Sequence, residues 1–397
     1  MSQAAPDLSA VSMDLGEDYP EIRASVRRIC ADFPGSYWRD LDEKEAYPSD
    51  FVQAMTDAGF LSALIPEEYG GAGLPLRAAG VVLEEIHACG GNAGATHAQM
   101  YTMGTVLRHG SAAQKSLYLP QIASGALRLQ AFGVTEPTSG TDTTKLKTRA
   151  VREGDEYVIN GQKIWTSRAL YSDLMLLLAR TTPLEDVKKK SEGLSVFLVD
   201  MRKAVGNGMT IRPIKAMINH NTTEVFFDNL RIPADSLIGQ EGQGLRCIMD
   251  GMNAERILVA HESIGDAKWF IKTAVKYANE RVIFDRPIGK NQGIQFPIAK
   301  AYAQTQAAEL MLRKSAAVYE ANQPCGEYAN LTKLLTAEAA WEAGEACMQT
   351  HGGFAYAREY DIERKWREAR VQRTAPISTN LILSYIAEHV LGLPRSY

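Results

Sequence analysis

The sequence has few cysteines and histidines, and neither type is spaced as metal ligands are. Its five cysteines stand far apart, and its seven histidines include no HExxH segment and no pair four residues apart. Zinc sites need several such side chains close together, so we expect no metal site. An odd number of scattered cysteines does not indicate a disulfide framework and fits buried, reduced thiols.

The chain also lacks a strong charge imbalance and long apolar runs. Its formal net charge is -4, which gives no electrostatic footprint for nucleic acid or an anionic membrane. No segment is long enough to span a bilayer, and residues 1–18 lack the basic start and apolar core of a signal peptide. We expect a cytoplasmic protein with no nucleic-acid partner and no membrane insertion.

Hydrophobic periodicity divides the chain into three regions. Apolar residues recur at helical spacing in 1–127, at strand spacing in 128–243, and again at helical spacing in 244–397. The Asn160–Gly161 pair stands between two short apolar runs and favours a tight hairpin turn. Further strands are expected at 174–178, 194–199, 209–214 and 224–227, and long helices at 245–281, 296–320, 328–351 and 379–391.

Four segments suggest ligand binding. TEPTSGTD at 135–142 has small and hydroxyl residues that let backbone N–H groups approach an anionic or carbonyl-rich ligand. By itself it would be a surface turn. It is followed by WTS at 165–167, RVIF at 281–284 and QTHGG at 349–353. In this order and spacing the four segments resemble those of the acyl-CoA dehydrogenases, and the resemblance spans nearly the whole chain.

This resemblance implies an α+β multidomain fold with a helical N-terminal domain, a central β-barrel-like domain and a C-terminal four-helix bundle. It also implies FAD as cofactor, an acyl-CoA substrate, electron-transfer flavoprotein as acceptor, and a homotetramer or dimer of dimers. The implied cofactor-binding residues are Phe132, Val134, Thr135, Thr141, Trp165, Ser167, Arg281, Phe284, Gln292, Gln349, Gly352, Gly353, Ser378 and Asn380.

The resemblance assigns these residues to two groups. Arg281 and Phe284, with the Gln and two Gly of the last segment, would hold the FAD of a neighbouring subunit. A guanidinium suits a pyrophosphate because it is a planar, permanently charged fork. The other group would meet the flavin, with Val134 and Thr135 at the pyrimidine edge, Thr141 at the pyrophosphate, Trp165 on the isoalloxazine face and Ser167 near N5.

The usual catalytic base of the family is missing. Most members carry a Glu in a stretch like YEGTS after the Gly-Gly segment, whereas this chain has APIST at 375–379. Pro376 cannot remove a proton, and it has no N–H to polarise the thioester oxygen. Either Ile377 donates instead, or part of that polarisation is lost.

Glu255 is the candidate base. Isovaleryl-CoA and long-chain dehydrogenases place their Glu in a sequence like LDLER, and this chain has MNAER at 252–256. The residue also lies on an apolar helical stripe, where a carboxylate needs a reason. A Glu paired with Arg256 or Arg281, or an exposed Glu, would have no catalytic role. Glu262, one heptad later, is the competing carboxylate.

Three further residues are candidate substrate contacts. By resemblance Arg256 would hold the pantetheine region of CoA, and Asn253 replaces a common Asp. Arg168 replaces an Asn or Gly after the residue near N5, and His220–Asn221 also departs from the family pattern. Arg168 and the His220–Asn221 pair are expected either to recognise a polar or carboxylated acyl group or to form a solvated loop, and the alternative for Arg256 is a surface cation.

The resulting hypothesis is α,β-dehydrogenation of an acyl-CoA to the trans-2-enoyl-CoA in fatty acid metabolism. Glu255 would take the α-proton while the β-hydride goes to flavin N5. One alternative is a flavoprotein of this family with desulfinase- or oxidase-like chemistry. Another is a catalytically silent flavoprotein, for which the missing usual base is the main support.

Overall fold

The fold runs from helices to strands and back to helices, as the periodicity predicts. The computed structural model describes residues 16–395, so most of the segment 1–18 discussed above lies outside the described residues. The helices are α1 (Pro20–Ala31), α2 (Gly35–Glu43), α3 (Ser49–Asp57), α4 (Leu76–Ala88), α5 (Gly94–His109), α6 (Ala112–Ala123), α7 (Met201–Ala204), α8 (Gly244–Met249), α9 (Met252–Glu280), α10 (Gln292–Glu320), α11 (Gly326–His351), α12 (Ile362–Val371) and α13 (Thr379–Tyr385). The strands are β1 (Leu129–Gly133), β2 (Arg149–Glu153), β3 (Glu156–Ser167), β4 (Leu174–Arg180), β5 (Leu194–Asp200), β6 (Met209–Pro213), β7 (Thr222–Pro233), β8 (Leu237–Ile238), β9 (Val282–Ile283) and β10 (Arg286–Pro287).

The first eight strands form one mixed sheet. Their order is β6-β7-β3-β2-β4-β5-β8, and β1 pairs in parallel with β4. Within residues 16–395 the edge strands β6 and β8 do not pair with each other, so the sheet is open rather than closed into a barrel. Strands β4 and β5 are buried along almost their whole length, which agrees with their continuous apolar sequences.

The hairpin predicted at Asn160–Gly161 is wrong. Strand β3 runs through this pair and only shifts its register against β7 there. A Cβ at Gly161 would stand 2.6 Å from Cα of Thr148, so glycine is required by the close approach of a neighbouring strand. The backbone N–H of Asn229 donates to Oδ1 of Asn160 at 2.9 Å. The chain reverses instead before β3, at Gly154 with φ 63°.

The C-terminal region is built on three long helices. The single helix predicted at 245–281 is two, α8 and α9, separated at Asp250–Gly251; glycine lowers the stability of a helix interior. Helices α9, α10 and α11 pack on one another through the cluster around Phe270 and Ile298. The shorter α12 contacts α9 and α11, and α13 also contacts α11.

Helix α4 joins the N-terminal helices to α9. A Cβ at Gly265 would stand 2.3 Å from the carbonyl oxygen of Glu84, so the absence of a side chain lets the two helices cross closely. The carboxylate of Glu84 is buried and forms ion pairs with Arg23 at 2.8 Å, Lys268 at 2.8 Å and His261 at 3.0 Å. Despite burial, the hydrogen bond from His261 and the charges of Lys268 and Arg23 hold the pKa of Glu84 well below its usual range. The network fixes the first half of α9 against the N-terminal region.

The cysteines agree only in part with the expectation of buried, reduced thiols. All five cysteines are free; Cys89, at the end of α4, is exposed, so the expectation of buried thiols is wrong there. Across residues 16–395 no cluster of three or more His, Cys, Asp or Glu could hold a metal ion. None of the described helices combines the length and apolar character that a transmembrane span requires.

Candidate active site

A bulge in β3 turns Trp165 out of the sheet. The register with β7 shifts between Lys163 and Thr166, and Trp165 has φ 61°. The N–H of Ile164 donates to the carbonyl oxygen of Thr135 at 2.9 Å instead of to β7. As a result the indole is 58 % exposed on the face beside the loop that follows β1. Bulges often redirect side chains in this way next to active sites.

A buried ion pair holds the loop that follows β1. Nζ of Lys163 donates to Oε1 of Glu136 at 2.8 Å and to the carbonyl oxygen of Val134 at 3.0 Å. Glu136 also accepts from the N–H groups of Lys147 at 2.7 Å and Thr148 at 2.8 Å. Burial lowers the pKa of Lys163 to about 8, and Glu136 opposes this change. The motifs did not predict this pair, although Glu136 is inside the TEPTSGTD segment and Lys163 stands two residues before WTS.

The remaining flavin candidates of this group are all half-buried or exposed. Phe132 is half-buried, with its ring 5.7 Å from that of Tyr101, and Ser167 ends β3. Thr141 is exposed in the loop. Ser378 caps α13 by accepting from the N–H of Leu381 at 3.4 Å, and Asn380 is exposed in its first turn.

Glu255 is a buried carboxylate without a partner. It lies in the first turn of α9 and is 8 % exposed. Within residues 16–395 its carboxylate forms no ion pair and no hydrogen bond, so the alternatives of pairing with Arg256 or Arg281 do not hold. Burial raises its pKa to about 7, against the opposing influence of His97 and Arg256. The group therefore titrates close to neutral pH.

Glu262 stands in a different environment. Its Oε1 lies 3.1 Å from Nδ1 of His97. Burial alone would raise the pKa of Glu262, but His97 and, to a smaller extent, His87 lower it below its usual value. Of the two competing carboxylates, Glu262 is the one held ionised by a neighbour, whereas Glu255 keeps a raised pKa.

Arg256 is held beside Glu255 by Asn253. One guanidinium nitrogen, Nη1, donates to Oδ1 of Asn253 at 2.7 Å, while Nε is buried without a partner. Burial lowers the pKa of Arg256. The side chain has no carboxylate partner among the described residues and has hydrogen-bonding capacity left for a ligand.

A buried lysine supports the segment that carries Pro376. Nζ of Lys333, from α11, donates to the carbonyl oxygen of Ile377 at 2.7 Å. Burial lowers the pKa of Lys333 to about 8. In the described part of the chain the N–H of Ile377 has no acceptor. Sequence reasoning missed Lys333 because its partner is a backbone atom far along the chain.

Arg281 and three of the cofactor candidates grouped with it line a cavity at the C-terminal end of α9. This cavity has a volume of about 720 Å³, and Arg281, Gln349, Gly352 and Gly353 line it. A Cβ at either glycine would meet no atom within 4 Å, so the space beside the backbone is open. The Arg281 guanidinium lies 5.4 Å from the centre of the Phe354 ring. Phe284, 93 % exposed at the tip of the β9–β10 hairpin, and Gln292 are outside this cavity.

Within one chain, Glu255 and the cofactor candidate Arg281 lie far apart. Glu255 and Arg281 lie at opposite ends of α9, and 26 residues of helix correspond to roughly 40 Å. A dinucleotide bound at one end therefore cannot use the residues at the other end of the same chain.

Arg168 and His220 approach each other, whereas Asn221 contacts the backbone of another segment. Arg168 is 5 % exposed, and its Nη2 lies 3.5 Å from Nδ1 of His220. Burial holds the pKa of His220 well below its usual value, so this ring is neutral at pH 7. Asn221 instead donates to the carbonyl oxygen of Glu45 at 3.0 Å. The predicted His-Asn pair is therefore not one unit.

The raised pKa of Glu255 predicts a pH-dependent stability change in a Glu255→Gln variant. A carboxyl with a pKa of 4.5 in the unfolded chain and about 7 in the fold destabilises the fold as pH rises from 4.5, reaching about 3 kcal/mol above pH 7. The amide removes this cost. The gain in unfolding free energy from urea titrations should be larger by about 2 kcal/mol at about pH 8.5 than at about pH 5.5. An equal gain at both pH values would contradict the raised pKa.

Comparison with known proteins finds similar sequences over nearly the whole chain. Family models of the acyl-CoA dehydrogenase N-terminal, middle and C-terminal domains match residues 16–126, 131–230 and 242–391. The acyl-CoA dehydrogenase fadE12 of Mycobacterium tuberculosis (strain CDC 1551 / Oshkosh) is 32% identical over 384 residues, 96% of this chain and 98% of that protein. The mitochondrial short-chain specific acyl-CoA dehydrogenase of Mus musculus is 30% identical, over 96% of this chain and 92% of its own length.

A solved structure has the same fold. It is a glutaryl-coenzyme A dehydrogenase in complex with glutaryl-CoA, with a TM-score of 0.87, 29% sequence identity and coverage of 97% of each chain. An exposed indole, a loop fixed by Lys163, and an arginine beside two unobstructed glycines are groups that fit a flavin dinucleotide. The chain belongs to the acyl-CoA dehydrogenase family and is a flavin-dependent oxidoreductase with FAD as its cofactor.

Proposed function

We propose that the protein converts an acyl-CoA thioester to the trans-2-enoyl-CoA, with Glu255 removing the α-proton. The observation that carries the proposal is the buried, unpaired carboxylate of Glu255 with its pKa of about 7. A general base is most effective when its pKa lies near the working pH. Glu262 is a poorer candidate because His97 lowers its pKa.

The candidates grouped with Trp165 would orient the flavin within each chain. Bound FAD supplies the acceptor for the β-hydride. Trp165 offers an exposed aromatic face, and the loop fixed by Lys163 offers backbone atoms of Val134 and Thr135. Phe132, Thr141, Ser167, Ser378 and Asn380 would complete this side.

Two features would position the thioester. Arg256 carries unused donors for the CoA moiety and is oriented by Asn253. The N–H of Ile377 is the first donor after Pro376, and Lys333 holds the carbonyl group of the same residue. This N–H would polarise the thioester oxygen and increase the acidity of the α-proton that Glu255 removes.

A second copy of the chain would complete each FAD site. Arg281 lies roughly 40 Å from Glu255 along α9. In the hairpin that follows it, Phe284 is 93 % exposed. We propose a homotetramer or dimer of dimers in which Arg281, Phe284, Gln292, Gln349, Gly352 and Gly353 contact the FAD of the partner. A role in fatty acid metabolism and electron-transfer flavoprotein as acceptor remain predictions from the resemblance, and a cytoplasmic location remains a prediction from the charge and the apolar pattern of the sequence.

The proposal is tested by mixing the oxidised protein with a panel of acyl-CoA esters without oxygen. Bleaching of the flavin band together with formation of the enoyl-CoA is the expected result. A protein that binds FAD but is not reduced by any ester would be a silent member. Enoyl product with rapid reoxidation of the flavin when oxygen is admitted would indicate oxidase-like chemistry, and release of sulfite from a sulfinated ester without flavin reduction would indicate desulfinase-like chemistry.

Replacing Arg281 by Ala should weaken FAD retention. Loss of a charge-assisted hydrogen bond to a phosphate should raise the dissociation constant of FAD about 10- to 100-fold. Equilibrium dialysis of the released cofactor measures this constant. Lys276→Ala is the matched control, because Lys276 is an exposed cation on the same helix that does not line the cavity. Equal retention in both variants would contradict the role of Arg281.

A further inference from the structure

Lys333 is a buried cation without a carboxylate partner. Two other lysines are as deeply buried, and both are paired. Lys163 lies 2.8 Å from Glu136, and Lys365 lies 2.5 Å from Asp266. Lys333 is 1 % exposed, and within residues 16–395 no carboxylate lies within ion-pairing distance of its Nζ. Burial of an unpaired charge is costly, so this ammonium group needs an explanation.

The positive charge of Lys333 is present at neutral pH and is not balanced nearby. Burial lowers its pKa to about 8, and the neighbouring cations Arg256 and Arg373 act in the same direction, which leaves the amine mainly protonated at pH 7. Glu338 opposes this change, but its carboxylate pairs with Arg373 at 3.0 Å. A net positive charge therefore remains inside the protein at this position.

This charge lies against segment 375–379, where most members of the family carry their base. Nζ donates to the carbonyl oxygen of Ile377 at 2.7 Å. The Ile377 side chain packs against the hydrophobic cluster that includes Met252, the first residue of α9, and Phe132 packs against the same cluster. Glu255 lies one turn further along α9. The segment is therefore close to the start of the helix that carries the candidate base and to the candidate flavin residues.

The hydrogen bonds of the segment leave the N–H of Ile377 available to a ligand. The N–H of Ala375 donates to the carbonyl oxygen of Val371 at 2.9 Å, whereas in residues 16–395 the N–H groups of Ile377 and Ser378 have no acceptor. Since the nitrogen and oxygen of one residue are about 3 Å apart, the 2.7 Å contact places Nζ within roughly 6 Å of the Ile377 nitrogen. An oxygen that accepts from this N–H would lie within roughly 9 Å of the buried charge.

We propose that Lys333 is a positioning residue that holds Ile377 and whose charge stabilises the thioester oxygen as it becomes negative. The inference rests on the proposed dehydrogenase function. When Glu255 takes the α-proton, the electron pair of the broken C–H bond moves toward the thioester oxygen. That oxygen would accept from the N–H of Ile377 and lie in the field of the ammonium group, which acts more strongly in a buried site than in water. The charge would compensate in part for the N–H that Pro376 lacks.

The experiment isolates proton removal from hydride transfer. A 3-thiaacyl-CoA has sulfur in place of the β-carbon, so it can lose an α-proton but cannot give a β-hydride. The FAD-loaded parent is mixed with 3-thiabutyryl-, 3-thiaoctanoyl- and 3-thiapalmitoyl-CoA. The long-wavelength absorbance of the deprotonated ester beside the oxidised flavin is then titrated with pH, and its midpoint reports how readily the bound ester loses the α-proton.

Lys333→Met should raise this midpoint by about 1 pH unit, because a buried charge at roughly 9 Å changes such an equilibrium about 10-fold. Lys333→Gln keeps a donor for the carbonyl group of Ile377 and loses the charge, so its midpoint should rise as well. It also carries the test if Lys333→Met does not fold. With a true acyl-CoA substrate both variants should show a kcat about 10-fold lower at an unchanged KM, because Lys333 does not contact the substrate.

Thr332→Val is the matched control. Thr332 is buried on the same helix, and its Oγ1 donates to the carbonyl oxygen of Met311 at 3.1 Å, so the variant removes a buried donor but no charge. It should keep the midpoint and kcat of the parent. A midpoint that stays at the parent value in Lys333→Gln, or that rises equally in Thr332→Val, would overturn the role of Lys333 alone. A parent that deprotonates none of the 3-thia esters and is reduced by no acyl-CoA ester would overturn the dehydrogenase function as well.

Discussion

The Glu255→Gln variant is expected to be reduced by its acyl-CoA substrate at least about 100-fold more slowly than the parent, since a positioned general base contributes about 10²- to 10⁴-fold. The amide keeps the shape of the side chain and removes the proton acceptor. FAD should stay bound, because the cofactor candidates are other residues. In the parent, the rate of flavin reduction should fall as pH decreases through about 7, where Glu255 becomes protonated.

Glu262→Gln is the informative companion variant. Its carboxylate contacts His97, which in turn lowers the pKa of Glu255, so a smaller loss of rate with a shifted pH profile is expected. Stopped-flow measurement of flavin bleaching separates this step from product release. If Glu262→Gln lost more activity than Glu255→Gln, the roles of the two carboxylates would have to be exchanged.

Lys163→Met is expected to lower the free energy of unfolding by about 3 kcal/mol, because removing one partner of a buried ion pair leaves the other charge uncompensated. Both side chains are almost fully buried, at 0 % and 4 % exposure. Urea titration measures the loss. FAD retention should fall too, since Lys163 also fixes the carbonyl group of Val134 in the loop assigned to the flavin.

Lys145→Met provides the comparison within the same loop. Lys145 pairs with Asp142 at 3.1 Å, but the two side chains are 61 % and 49 % exposed. Exposed pairs contribute about 0 to 1 kcal/mol because water screens them and the side chains lose freedom. A Lys163→Met protein as stable as Lys145→Met would show that the Glu136 carboxylate is sufficiently satisfied by the N–H groups of Lys147 and Thr148.

Sequence patterns predicted a structural feature correctly where the residues of one segment alone determine that feature. The ordered TEPTSGTD, WTS, RVIF and QTHGG segments indicated the family, and periodicity predicted the order of helices and strands because side-chain spacing within an element is fixed by its geometry. Sequence patterns were less reliable where contacts with a neighbouring element determine the local structure. The Asn160–Gly161 pair is typical of a hairpin, yet the close approach of β2 at Thr148 and the amide contact with Asn229 keep β3 continuous.

The family, the flavin cofactor and Glu255 as a carboxylate at an apolar position follow from the sequence, since these depend on residue types at fixed spacings. Only the folded structure shows that, among residues 16–395, Glu255 has no partner while Glu262 has His97 and Arg168 is a buried cation without an ion pair, and that Lys163 and Lys333 hold backbone segments from inside. Each of these depends on burial and on partners distant in the chain. Desolvation and charge pairing, which fix the pKa and the unused donors of a site, exist only after the chain has folded.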